Sequence, residues 1–150
     1  MEENKGTYAA VKPDDESKHI LMKYLHDKGV PNPESGDKLH STLLYSRKHL
    51  KDYKSDAHLS HDATPHKIEV WPTKSGKKCL VLKLHSPSLQ ARHEHLMDKH
   101  KATYDYPEFK PHISLSYDIG DYDHSKLTHH DIPHLKLTHE YHEDLDTTGK

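Results

Sequence analysis

Two short motifs hold the residues best suited to chemistry: His40-Ser41-Thr42 and His112-Ile113-Ser114, each a histidine followed two positions later by a hydroxyl. Imidazole titrates near neutrality and serves as proton acceptor or donor. A hydroxyl donates a hydrogen bond to an anionic oxygen. Two copies of this pair, facing one another, would transfer protons and steady the charge on a phosphate. The likeness runs past the motifs themselves. Lys38-Leu39-His40-Ser41-Thr42-Leu43-Leu44-Tyr45 sits beside Lys110-Pro111-His112-Ile113-Ser114-Leu115-Ser116-Tyr117, with lysine, histidine, hydroxyl, leucine and tyrosine in the same places. An internal duplication accounts for this.

The elements that must carry the motifs repeat as well. Short apolar runs predict strands over 5–12, 38–46, 67–72, 79–85, 110–117 and 135–141. Ile20, Leu21, Tyr24 and Leu25 at helical spacing predict a helix over 14–28, stopped by Gly29. Pro87 opens a second helix to about Lys101, with Leu89, His93, Leu96, Met97 and His100 along one side. The order strand, helix, strand, strand thus occurs twice. It predicts an α+β fold: one domain over 1–150, with pseudo-symmetric lobes at about 5–72 and about 79–141. Antiparallel sheets would surround a central groove, with a helix outside each lobe. The polar connections 47–65 and 118–133 are long for a compact domain, as lids are, or are simply polar surface.

Side chains alternate faces along a strand, so the aliphatic set in each strand assigns the remainder to the groove. On that rule His40, Thr42, His112 and Ser114 face the groove as the catalytic set. Tyr8 and Trp71 join them as substrate-binding residues, and Glu140 falls on the same face with a few other charges. Trp71 and Tyr8 offer flat surfaces for a nucleobase. Tyr45 and Tyr117 fall on core parity and read as structural. Lys12, Lys38, Lys83 and Lys110 read as solvated charges at strand edges.

Composition narrows the partners. Net charge is -2 with the 18 histidines neutral, so nothing calls for duplex nucleic acid, and a small anionic ligand fits better. Mean hydropathy is -1.06, the mark of a very polar surface over short buried strands. Cys79, the single cysteine, lies in the run Lys78-Cys79-Leu80-Val81-Leu82 and reads as a buried structural thiol in a reducing compartment. No stretch of ~18 apolar residues occurs, so a cytoplasmic chain without a membrane span is expected. Arg92-His93-Glu94-His95 and His139-Glu140-Tyr141-His142 lack the His-Glu-x-x-His spacing of a metal site. No metal and no other cofactor is expected.

Paired His-x-Thr/Ser motifs in duplicated strand-helix-strand-strand lobes resemble the two-histidine (2H) phosphoesterase superfamily. Within it, 39–46 and Tyr106-Pro107-Glu108-Phe109-Lys110-Pro111-His112-Ile113-Ser114-Leu115-Ser116-Tyr117-Asp118 look most like the phage anti-CBASS nucleases. The resemblance covers Tyr8 to Glu140, with serine for threonine in the second motif. It implies hydrolysis of cyclic di- or trinucleotide messengers in the host cytoplasm, with a groove aromatic and a late acidic residue, Trp71 and Glu140, around the nucleotide. It also implies a ribonuclease-like reaction in which the substrate's 2′-hydroxyl attacks phosphorus. Action on RNA ends or 2′,3′-cyclic phosphates, or binding of cyclic nucleotides without cleavage, are the alternatives.

Overall fold

The computed structural model describes residues 5–50, 52–56, 58–100 and 109–146. The flank Tyr106-Pro107-Glu108 of the second motif and the expected helix end at Lys101 lie outside them. In chain order the elements are β1 (Lys5–Pro13), α1 (Asp15–Asp27), β2 (Ser41–Ser46), β3 (His61–Pro72), β4 (Lys78–His85), α2 (Pro87–Lys99), β5 (His112–Ser116) and β6 (Leu135–Asp146).

Both helices are capped by side chains. Asp14 accepts from Ser17 N–H at 2.8 Å, and Asp15 and Glu16 in the first turn complement the helix dipole. Gly29 ends α1 at φ 65, a conformation open to glycine. Ser86 caps α2 by accepting from Leu89 N–H, and Pro87 occupies the first turn. Leu21, Tyr24 and Leu25 of α1, and Leu89, His93 and Leu96 of α2, are buried. A fully buried leucine contributes about 1.5–3 kcal/mol.

The six strands form one antiparallel sheet in the order β2-β1-β6-β3-β4-β5. The order is two-fold symmetric, but each repeat lends its last strand to the other half. β6 pairs with β1 from Lys5↔Asp146 to Pro13↔Leu137, while β3 pairs with β4 and meets β6 only from His61↔Leu137 to Ala63↔Leu135. Helix α1 packs on β1 and β6, and α2 on β2 and β3. The edge strands β2 and β5 also come into contact. The sheet face away from the helices forms the groove.

Four β-bulges interrupt the alternation, in two symmetric pairs. Opposite β1 the register steps from Leu44 to Thr42, and opposite β4 from Ser116 to Ser114, so Leu43 and Leu115 are the extra residues. β3 steps from Pro65 to Lys67 and β6 from Leu137 to His139, leaving His66 and Thr138 extra. A bulge puts two residues opposite one and reverses which side chains face each way beyond it. β3 also starts six residues before the expected Lys67, and β2 begins three residues after the expected Lys38 because Gly36–Lys38 forms a 3-10 turn.

Candidate active site

His40 stands just before β2 and His112 opens β5. The His40 Nδ1 lies 2.7 Å from the Lys38 carbonyl oxygen, and the His112 Nδ1 lies 2.8 Å from that of Lys110. A carbonyl only accepts, so in each ring Nδ1 carries the hydrogen and Nε2 keeps the lone pair. Burial holds the His112 imidazole below its ordinary pKa. The charges of His40 and Lys83 push the same way, and the bond to Lys110 opposes them. The Trp71 ring provides part of that cover, 4.7 Å from the His112 ring.

The two motif hydroxyls are each supported from below. Thr42 Oγ1 is 3.0 Å from the Tyr8 hydroxyl. The Tyr8 ring makes T-shaped contacts with His40 and Tyr45, at 6.3 and 5.9 Å between ring centres. Burial holds the Tyr8 phenol well above its usual pKa, against the lowering effect of Thr42. It therefore stays protonated and able to donate. Ser114 lies against Tyr117 and Cys79. Burial raises both of their pKa values, and the hydrogen bond with Ser114 offsets part of the rise.

Trp71 reaches the groove, with its Nε1–H donated to Glu69 Oε1 at 2.8 Å. Lys67 and Lys83 approach the same carboxylate at 3.4 and 3.8 Å. The Trp71 bond leads in holding Glu69 below the usual carboxylate range. His40, Thr42, His112, Ser114, Tyr8 and Trp71 therefore share the groove face.

Glu140 does not. It pairs with Val11 of the core and is 4% exposed, on the helix side of the sheet. Arg92 Nε and Nη2 donate to its two oxygens at 2.9 Å each, Tyr53 donates at 2.7 Å and Asp56 N–H at 2.9 Å. Burial pushes this carboxyl up, but those donors outweigh it and hold its pKa below normal. The expectation of a groove position fails because it carried the parity of Leu135 and Leu137 across the bulge at Thr138. The same error, at Leu43 and Leu115, placed Tyr45 and Tyr117 in the core. Tyr45 instead pairs with Tyr8 on the groove face, and Tyr117 is 47% exposed. Tyr141, against Tyr8, is a further groove residue that alternation missed.

Glu140 also settles part of the 47–65 connection, since Tyr53 and Asp56 tie it to β6 and α2. In 118–133, Ile119, Leu127 and Ile132 are buried and the Tyr122 hydroxyl donates to the Lys28 carbonyl at 2.6 Å. Among the described residues, no three His, Cys, Asp or Glu side chains gather closely enough to hold a metal ion. No described helix is long and apolar enough to cross a membrane.

Among solved structures, Escherichia coli LigT complexed with 3′-AMP superposes with a TM-score of 0.61 over 92% of this chain and 86% of LigT, at 14% identity. The apo form of LigT gives 0.58, over 91% and 84%. The chain therefore has the fold of LigT. The family model of the anti-CBASS protein Acb1 matches residues 5–150. Anti-CBASS protein Acb1 of Acinetobacter phage Ac42 is 40% identical over 147 residues, covering 98% of this chain and 95% of that protein. Its counterparts in Vibrio phage KVP40 and Enterobacteria phage T4 are 39% and 36% identical, each over 77% of this chain and 75% and 74% of their own lengths. The chain belongs to the Acb1 anti-CBASS family.

Proposed function

We propose that this protein hydrolyses a 3′–5′ phosphodiester of cyclic di- or trinucleotide messengers, in the cytoplasm of an infected host, with His40 and His112 as its acid–base pair. The observation that carries this reading is the matched Nδ1–carbonyl bond, which leaves an Nε2 on each imidazole free for proton transfer. The neutral imidazole takes the proton of the ribose 2′-hydroxyl as its oxygen bonds to phosphorus. The protonated one gives a proton to the departing 5′-oxygen as the P–O5′ bond breaks. The 2′,3′-cyclic phosphate that results is opened by water with the roles exchanged. Thr42 and Ser114 donate to the non-bridging oxygens, and a base stacks on Trp71. Tyr8 serves this scheme by holding Thr42 rather than by stacking. Membership of the anti-CBASS family supports the choice of a cyclic messenger.

Chromatography of a cyclic dinucleotide after incubation tests it. Linear products, formed equally after exhaustive EDTA treatment, are expected. Recovery of intact, protein-bound cyclic nucleotide would replace the enzyme with a binding protein. Loss of cleavage on chelation would replace the mechanism.

A further inference from the structure

The two-fold relation between the halves extends to a pair of lysines. Lys83 on β4 lies directly opposite His112. On β1, Lys12 lies one position beyond the Val11–Ser41 pair, which sets it level with His40. It shares the face of Tyr8 and Ala10, because β1 carries no extra residue of its own. Each catalytic histidine thus has a lysine across the strand from it. The surroundings of the two lysines differ. Lys83 stands 3.8 Å from Glu69, a carboxylate also shared with Lys67. Lys12 holds its ammonium 5.3 Å above the Tyr141 ring and faces His139 on β6. Among the described residues it has no carboxylate partner. An aromatic face retains a cation without neutralising it.

The chemistry has a use for these charges. A phosphodiester carries one negative charge, and its transition state gathers more on the non-bridging oxygens. With one histidine neutral, the motifs alone offer a single mobile positive charge. A lysine ammonium beside each motif adds a further positive charge.

Building on the two-histidine reading above, we propose that Lys12 and Lys83 clasp the scissile phosphate between the histidines, and that Lys12 carries the larger share because Glu69 draws on Lys83. Inorganic phosphate titrated into the protein, followed by the imidazole Cε1–H resonances of His40 and His112, reads groove occupancy without needing turnover. Lys12→Met should weaken phosphate binding about tenfold, the loss of one charge-assisted hydrogen bond. Lys83→Met should weaken it less, Lys12→Arg should restore most of the loss, and Glu69→Gln, which releases Lys83, should tighten binding. The order should recur in kcat/KM on a cyclic dinucleotide. The proposal is overturned if phosphate leaves both imidazoles unmoved in the wild type. It is also overturned if Lys12→Met binds phosphate like the wild type, or if Glu69→Gln weakens binding. Lys12-dependent phosphate binding in a protein inert toward cyclic dinucleotides would uphold the lysines and sink the substrate reading instead.

Discussion

His40 and His112 are fixed by the same hydrogen bond, from Nδ1 to the carbonyl of the residue two positions earlier, at 2.7 and 2.8 Å. The two environments nevertheless differ. His112 is covered by Trp71 and pushed below its ordinary pKa by burial first, then by His40 and Lys83. On the two-histidine reading proposed above, that lowering suits His112 to be the base of the first step. The acidic limb of kcat/KM should then lie below the usual histidine range, and Trp71→Ala, which relieves burial, should move it to higher pH. A limb that stays in place in Trp71→Ala would separate it from His112.

Two buried imidazoles, His61 and His93, and the half-buried His112 make the fold sensitive to mild acid. Burial is the leading cause that lowers the pKa of His61, His93 and His112. As pH falls, the unfolded chain protonates these groups first, so their effect is absent above the ordinary histidine pKa. Stability is lost as pH descends from there toward the folded values. The urea midpoint should be lower at about pH 5.5 than at about pH 7.5. An unchanged or higher midpoint would mean that these rings accept protons without disturbance.

The Glu140 carboxylate should matter to stability far more than to chemistry. It receives four hydrogen bonds from Arg92, Tyr53 and Asp56, and its side chain is 1% exposed. Removing one partner of a buried ion pair strands the other, at a cost on the order of 3 kcal/mol. Arg92→Met and Glu140→Ala should both show losses of that size in denaturant unfolding. The fraction still folded should keep its affinity for nucleotide. Weakened affinity with stability intact would return Glu140 to the binding site.

Tyr8 distinguishes support from stacking. Its hydroxyl bonds Thr42 at 3.0 Å while its ring meets its neighbours edge-on. Tyr8→Phe keeps the ring and deletes the bond, worth about 1 kcal/mol, so kcat should fall roughly fivefold with KM little changed. A base-stacking Tyr8 would give a Phe variant with wild-type kcat.

The groove positions of His40, Thr42, His112 and Ser114 were legible because each pair lies on the near side of its bulge, where alternation holds. Trp71 was placed correctly for a similar reason: Ile68 and Val70, which set its parity, lie on its own side of the bulge at His66. Glu140, Tyr45 and Tyr117 were misplaced because an extra residue leaves no mark in a run of alternating side chains. The N-terminal half of β3 went unseen since His61, Ala63 and Pro65, though buried, are too small or polar to register as an apolar run. The exchange of β3 and β6 between halves is a choice of partner, which local pattern does not encode.

In the proposed reaction two imidazoles direct the substrate's own 2′-hydroxyl at phosphorus. The most direct measurement compares cleavage of a 3′–5′ cyclic dinucleotide with that of its 2′-deoxy counterpart, by the wild type and by His40→Ala and His112→Ala. The ribose substrate should give products ending in a 2′,3′-cyclic phosphate or a 3′-phosphate. The deoxy analogue should bind yet stay intact, and either histidine variant should be slower by ~10²–10⁴-fold. Cleavage of the deoxy analogue at the ribose rate, products bearing 5′-phosphates, or a histidine variant near wild-type speed would rule this reaction out.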